Sequence, residues 1–363
     1  MAAFMRLGSI TVQDFRNLAP NRLEFSGRRQ FLVGGNGQGK TNLLEAVGLL
    51  TALRSFRASD HRLLIAHGRQ EAGVACELEH ERLGATRVRL SLRGDGKDAW
   101  IDQERIGRMG DFLGVFPTVV LCSQDQQLIR GGPGVRRRWL DLTLAATDRG
   151  YLAALQTYHR ALAERNALLR TGEARAELGA FEASMAPAAA ELIRRRTKGL
   201  EELSAVVRGA YSQVSGEPGQ AGIGYRPDMR EEGTVEAIAR RLSDGRDRDL
   251  RLRSTTMGPH RDDFDFLIDD RPARDFGSEG QQRLLVVALR LAQAAWFRQC
   301  TGVEPVLLAD DVVGELDPER RSRFWAALPP DRQVIATGTE LPPANDGAWE
   351  LFTVRGGAVA GGE

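Results

Sequence analysis

The chain has 363 residues, with 50 Lys and Arg against 49 Asp and Glu and a formal net charge of +1. No whole-molecule field draws such a chain to a polyanion, so a polyanionic partner must meet a local basic patch. Hydrophobic residues at 42% and charged residues at 27% exclude a disordered or fibrous chain, and the length suits two or three domains.

The most apolar stretches are 113–122, which is too short, and 284–296, which Arg290 breaks. Neither supplies the roughly 20 residues of a membrane helix, so a soluble protein with no membrane partner is expected. The N-terminus lacks the basic and apolar regions of a secretory signal, and Cys76, Cys122 and Cys300 are scattered and odd in number. Secretion and a disulfide framework are disfavoured. No cysteine pair has zinc-ligand spacing, and the five His stand alone. Only Lys40, Lys97 and Lys198 of the basic residues are lysine, which reads as genomic base composition, with thermal adaptation as the weaker alternative.

In chain order, alternating or β-branched segments at 8–15, 30–34, 73–79, 86–92 and 118–121 predict strands, a β-rich α/β opening. From 136 to 215 the spacing turns helical: Tyr151, Leu155, Tyr158, Leu162 and Leu169 form an apolar stripe with Arg and Glu on the other faces. The Gly and Pro of 216–233 end that tract. A helix at 234–242, a strand at 263–268, a long helix at 280–298 and a buried strand at 305–310 return the chain to α/β. The expected division is a head of 1–115 with 255–363, interrupted by a mainly helical lobe of 116–254. No heptad run is sustained, which excludes a long coiled-coil arm.

The predicted strand at 30–34 runs into Gly34-Gly35-Asn36-Gly37-Gln38-Gly39-Lys40-Thr41 and then a helical pattern. Strand, glycine loop and helix in that order match G-x-x-x-x-G-K-[ST]. The glycines free backbone amides to wrap phosphate oxygens, the helix N-terminus adds positive dipole, Lys40 reaches the β and γ phosphates and Thr41 takes Mg²⁺. The apolar strand ending in Asp310-Asp311 suits a Walker B strand, with Asp310 on Mg²⁺ and Asp311 placed to orient the attacking water. Between the two motifs, Ser278-Glu279-Gly280-Gln281 opens a helix and resembles the signature loop S-x-G-Q of ABC ATPases. In that class the loop serves the nucleotide of a second subunit; the bland reading of Ser278 is a helix N-cap answered by Gln281. Gly314 to Pro318 follows Walker B where such heads have their D-loop.

Together these features resemble the RecF family of recombination mediators, which belongs with the structural-maintenance-of-chromosomes type of ABC ATPases. The resemblance covers nearly the whole chain. It rests on Phe15-Arg16-Asn17-Leu18, the glycine loop, Arg54-Ser55-Phe56-Arg57, Gly131-Gly132-Pro133 running into Arg136-Arg137-Arg138, Gly258-Pro259-His260-Arg261, and the motifs around Ser278 and Asp310. It implies an α/β P-loop ABC-type head with an inserted helical lobe. It also implies an ATP- and Mg²⁺-dependent DNA-binding protein of weak ATPase activity, closing as a homodimer around ATP. Such a protein works with RecR and RecO in gap repair, replication and the SOS response, in the cytoplasm on the nucleoid. Arg16 and Asn17 join residues 34–41, Ser278, Gly280 and Gln281 as nucleotide contacts; Lys40, Asp310, Asp311 and Ser278 carry catalysis.

Two positions depart from the pattern. Ser123-Gln124-Asp125 stands where the family has Ser-Pro and an acidic residue, so Gln124, Gln126 and Gln127 compete for the Q-loop role. Thr337-Gly338 stands where transporters place a switch His, and a hydroxyl is no charged γ-phosphate sensor, so slow hydrolysis is expected. Arg136, Arg137, Arg138, Arg194, Arg195 and Arg196 are the DNA candidates, contacting phosphates and not bases, against the plainer reading of Arg runs as solvated or ion-paired. His260 reads as structural, since Gly258-Pro259 forms a turn and no partner carboxylate can be assigned. A nuclease-coupled head would need far more chain than the 46 residues after Asp317, and a transporter subunit would keep its switch His. A scaffold for RecR holding ATP only structurally is the remaining rival.

Overall fold

A computed structural model of the chain describes residues 5–171, 177–216, 220–229, 233–312, 314, 316–343 and 347–361. Contacts divide it into two compact units. The first comprises Met1–Asp125, Gly209–Pro218 and Leu284–Glu363; the second comprises Gln126–Arg208 and Gly219–Arg283.

The first unit, the head, holds two six-stranded sheets. One is antiparallel, in the spatial order Asn21–Glu24, Met5–Gln13, Glu71–His80, Gly84–Arg93, Gly96–Ile101, Glu104–Arg105. Its first long strand buries Met5 and Leu7, then Ile10 and Val12, a change of phase that coincides with a register shift between Leu7 and Ser9. The other sheet is ordered Ala358–Gly361, Glu350–Arg355, Arg29–Val33, Val334–Gly338, Val306–Asp310, Thr118–Cys122, and is parallel except for its terminal hairpin. Val306 to Ala309 are fully buried, as a central parallel strand requires, and the Val306, Leu307 and Leu308 side chains each contribute about 1.5–3 kcal/mol. Helix Lys40–Ala52 packs Leu43, Leu44, Val47 and Leu50 into the core.

The second unit, the lobe, contains helices Pro133–Ala145, Arg149–Thr171 and most of Leu178–Ser215, with a small sheet ordered Arg271–Pro272, Asp263–Ile268, Ala221–Arg226. At 38 residues, Leu178–Ser215 is the longest helix among the described residues, and no long coiled coil is present among them.

These boundaries differ from the expected 115/116 and 254/255. Thr118–Cys122 pairs in register with Val306–Asp310 and so belongs to the head. Residues 255–283 hydrogen-bond within the lobe, through Asp262, Asp263 and Gln282 among others. Ala221–Arg226 lies in a segment expected only to break helices, yet it forms a strand paired with Asp263–Ile268.

The lobe is held by buried ionic clusters. Arg165, fully buried, donates to Glu182 at 2.9 Å, Asp249 at 2.7 Å and Thr255 at 2.8 Å, and Arg246 meets the other oxygen of Glu182 at 2.5 Å. His260 Nε2 faces the Thr255 carbonyl at 3.0 Å and must carry the proton there, which leaves Nδ1 to accept from the Tyr158 hydroxyl at 2.7 Å. Burial, followed by the charge of Arg261, lowers the His260 pKa to about 4, so the ring is a neutral structural element.

Two outcomes follow for the lobe. Arg165→Met leaves buried Asp249 without its arginine and Glu182 with only Arg246, and should cost about 3–5 kcal/mol in urea unfolding. His260 should show no ring titration by NMR between pH 8 and 5. Because its folded pKa lies below the ordinary 6.5, its contribution is complete above 6.5 and is lost as pH falls toward about 4, on the order of 3 kcal/mol in all.

Candidate functional site

The head sheet sets the site. Strand Arg29–Val33 ends in the glycine loop, and helix Lys40–Ala52 begins directly after it. Gly37 and Gly39 have φ of 75° and 116°, a region costly for any side chain, and Gly39 at the N-cap offers the helix no capping side chain. The buried Lys40 ammonium donates to the carbonyls of Gly34 at 2.7 Å and Gly35 at 3.1 Å, so the lysine is folded into its own loop. Thr41 Oγ1 donates to Asp310 Oδ1 at 2.8 Å, which joins the two ends of the motif pair across 269 residues.

Asp310 receives a second bond, from Thr337 Oγ1 at 3.1 Å, and the same hydroxyl accepts from the Asp311 amide at 3.0 Å. Burial, together with the Asp311 charge, raises the Asp310 pKa, while the two threonine hydroxyls oppose the shift. Asp311 sits at φ 57°, a left-handed conformation uncommon for a side chain other than Gly, Asn or Asp. This oxygen set, a hydroxyl and a carboxylate, fits the hard-ligand chemistry of Mg²⁺. A buried ammonium paired with carbonyls at a helix N-terminus fits a phosphate.

The remaining nucleotide candidates of the head lie against this loop. Asn17 Nδ2 donates to Gly37 O at 3.2 Å, and Asn17 Oδ1 accepts from Asn42 at 2.7 Å. Arg16 is bound by both nitrogens to Glu45 at 2.9 and 2.8 Å. Glu45, fully buried on the P-loop helix, also accepts from Ser55 and lies 3.8 Å from Arg57. Glu45 is therefore the hub that fixes Arg16 and the 54–57 segment, a role only its helix position hinted at in the sequence. Asp125, named in the sequence only within the departing motif and given no role there, accepts from Arg290 at 3.0 and 2.5 Å and from the Cys122 amide at 3.0 Å. Its signal was Arg290, a lone charge in an apolar helix. Gln124 and Gln127 are exposed, and Gln126 Oε1 is buried with no protein partner. Asp317 N-caps helix Pro318–Ala326 through the Arg320 amide at 3.0 Å, whereas Glu315 of the expected D-loop lies outside the described residues.

In the lobe, Ser278 and Gln281 form a reciprocal capping box: Ser278 N–H donates to Gln281 Oε1 at 2.9 Å, and Gln281 N–H donates to Ser278 Oγ at 3.3 Å. Gln282 braces the loop by donating to the carbonyls of Ala273 and Gly277 and accepting from Arg130. Ser278 is exposed and Gly280 half-buried.

The DNA candidates divide. Arg136, 3% exposed, is spent on Asp263 at 2.8 and 2.9 Å, and Arg196, 2% exposed, on Asp141 and Asp262, both at 2.8 Å. Neither is a surface cation, which corrects the expectation: buried arginines need carboxylates, and the carboxylates were remote in sequence. Arg137 donates to the Asp262 carbonyl, Arg195 pairs with Asp148 and Glu191, and Arg194 pairs with Glu191 while exposed. Arg138 is exposed.

Comparison with known proteins gives the family and the fold. The model of the RecF/RecN/SMC N terminal domain matches residues 6–342. The chain is similar to the DNA replication and repair protein RecF of Geobacter metallireducens, 36% identical over 344 residues and 93% of each chain. It is also similar to that of Lactobacillus delbrueckii subsp. bulgaricus, 35% identical over 349 residues, 93% of this chain and 91% of the relative. A solved structure of the recombination mediator RecF with ATP in the RecFOR pathway superimposes with a TM-score of 0.90 at 30% identity, covering 98% of this chain and 97% of that one. An Smc head, 15% identical with a TM-score of 0.56 over 97% of this chain and 95% of that one, shares the fold alone. A head that brings Lys40, Thr41 and Asp310 together, a signature-type helix start at Ser278 and relatives matched over nearly their full length lead to one assignment: the chain belongs to the RecF family of DNA replication and repair proteins, within the wider RecF/RecN/SMC group.

Proposed function

We propose that the chain is an ATP-dependent, DNA-binding recombination mediator that acts with RecR and RecO in gap repair, replication and the SOS response, in the cytoplasm on the nucleoid. The observation that carries the reading is the Thr41–Asp310 contact at 2.8 Å beside the buried Lys40. The relatives' names and the ATP-bound RecF of the RecFOR pathway support it.

Lys40 and the amides of 34–41 hold the phosphates, and Thr41 and Asp310 hold Mg²⁺. Bound ATP supplies a γ-phosphate whose presence or loss distinguishes two states of the protein. Ser278, Gly280 and Gln281 present a helix N-terminus to the nucleotide of a second copy, so ATP favours a closed homodimer by binding it better than the open form. Asp311 orients water, and Thr337, which brings no charge, leaves turnover weak. DNA meets backbone-directed cations on the lobe surface, of which Arg138 and Arg194 are the exposed members of the candidate set.

Light-scattering mass and DNA anisotropy with ATP and with ADP test this, alongside Ser278→Arg, which leaves the Lys40 loop intact. ATP alone should give a dimer with DNA affinity about ten-fold or more above the ADP state, and the variant should bind ATP yet stay monomeric. Mass and affinity indifferent to the nucleotide would instead favour a scaffold for RecR with a structural ATP site.

A further inference from the structure

The terminal hairpin of the head reaches the glycine loop. Strand Glu350–Arg355 runs parallel to Arg29–Val33, with Glu350 opposite Gln30 and Thr353 opposite Val33. It continues past the end of that strand and returns through Gly356 and Gly357 into Ala358–Gly361, with Arg355 paired to Ala358. The two glycines have φ of 56° and 83°, the twist that a two-residue hairpin needs. The overrun lays the turn against residues 34–39.

At the glycine loop, backbone amides of the turn meet Gln38. Gly356 N–H donates to Gln38 Oε1 at 2.6 Å and Gly357 N–H to Gln38 O at 2.9 Å, so one turn holds both oxygens of that residue. Gly357 O accepts from the Ala19 amide at 3.0 Å, and Asn21 Nδ2 donates to Val359 O at 2.8 Å. A Cβ on Gly357 would stand 2.0 Å from Asn17 O, and one on Gly34 would stand 2.3 Å from Val354 O. The hairpin, the 17–21 segment and the glycine loop therefore meet with no space for any of them to shift alone. A glycine-rich loop loses much conformational entropy when it becomes ordered, and this bracing supplies the order in advance.

We propose that the Gly356–Gly357 turn is a positioning element of the nucleotide site. By fixing Gln38 it sets the amide cradle from Gly37 to Gly39, and phosphate binding in that cradle in turn stiffens the hairpin, as reciprocal coupling requires. The inference rests on the reading of the loop as an ATP site. It gives Gln38 a different task from the direct nucleotide contact expected from the motif, since its side-chain oxygen is engaged by Gly356.

Hydrogen exchange on the full chain, with and without ATP and Mg²⁺, separates the two ideas. Slower exchange in peptides covering both 34–41 and 350–361 is the expected result, and Lys40→Ala should abolish both effects. Protection of 34–41 with 350–361 unchanged overturns the role of the turn and leaves the ATP reading standing. Protection of neither overturns both. As a second measurement, Gly357→Ala should weaken ATP binding about ten-fold or more, because alanine is strained at this φ and meets Asn17. Gly84→Ala, at φ 75° with open space around it in the other sheet, should leave ATP affinity unchanged while imposing the same backbone strain. Wild-type affinity in a folded Gly357→Ala protein overturns the proposal, and the exchange experiment on the unaltered chain decides it where that variant does not fold.

Discussion

Thr41 and Asp310 touch only because strand Val334–Gly338 takes a single register against both of its neighbours. Thr337 lies opposite Leu32 on one side and Asp310 on the other, so this strand levels the end of the P-loop strand with the end of the acidic strand. A slip of one residue would turn every side chain to the opposite face and carry Thr337 away from the two carboxylates. The register is held by burial: Ile335 and Ala336 are fully enclosed, as are Leu307 and Leu308 beside them, and Leu32 beyond. The meeting of Thr41, Asp310 and Thr337 thus depends on apolar packing within the sheet.

The parts of this arrangement that were legible in the sequence are those governed by local rules. Strand, glycine loop and helix announce themselves because phosphate cradles demand that order, and the strand at 263–268 has a clean alternation that the structure keeps to the residue. The first strand was expected from Gly8, whereas it begins at Met5; the register shift between Leu7 and Ser9 breaks the alternation and hides its opening residues. Ala221–Arg226 was hidden by Gly222 and Gly224, which weaken a strand when read alone, although Ile223 and Tyr225 preserve its period. Partnership across the chain leaves no local trace. Arg136 finds Asp263 and Arg196 finds Asp262 at separations of 127 and 66 residues, so two runs of arginines looked like surface when one member of each was interior.

The same comparison explains the use of arginine. A guanidinium offers a rigid fork of donors, and Arg136, Arg165 and Arg196 each satisfy two or more acceptors inside the lobe. An ammonium is a compact point charge. Lys40, buried among carbonyls at the mouth of a helix, sits where a point charge suits a phosphate and where a fork would crowd the loop. With three lysines in the whole chain, the one at this position stands out against its arginine background.

Thr337 carries the argument about turnover furthest. Its single hydroxyl hydrogen goes to Asp310, and its oxygen accepts the amide of Asp311, so the residue is committed to orienting the Asp310 carboxylate and the Asp311 backbone. That task suits a neutral group: a cation in the same place would pair with Asp310 itself. The strand accordingly ends in Thr337-Gly338-Thr339-Glu340, with no cationic side chain of the kind that preorganised sites use in fast phosphoryl transfer. Thr337 thus fixes the acidic pair at the end of its strand without adding charge to it.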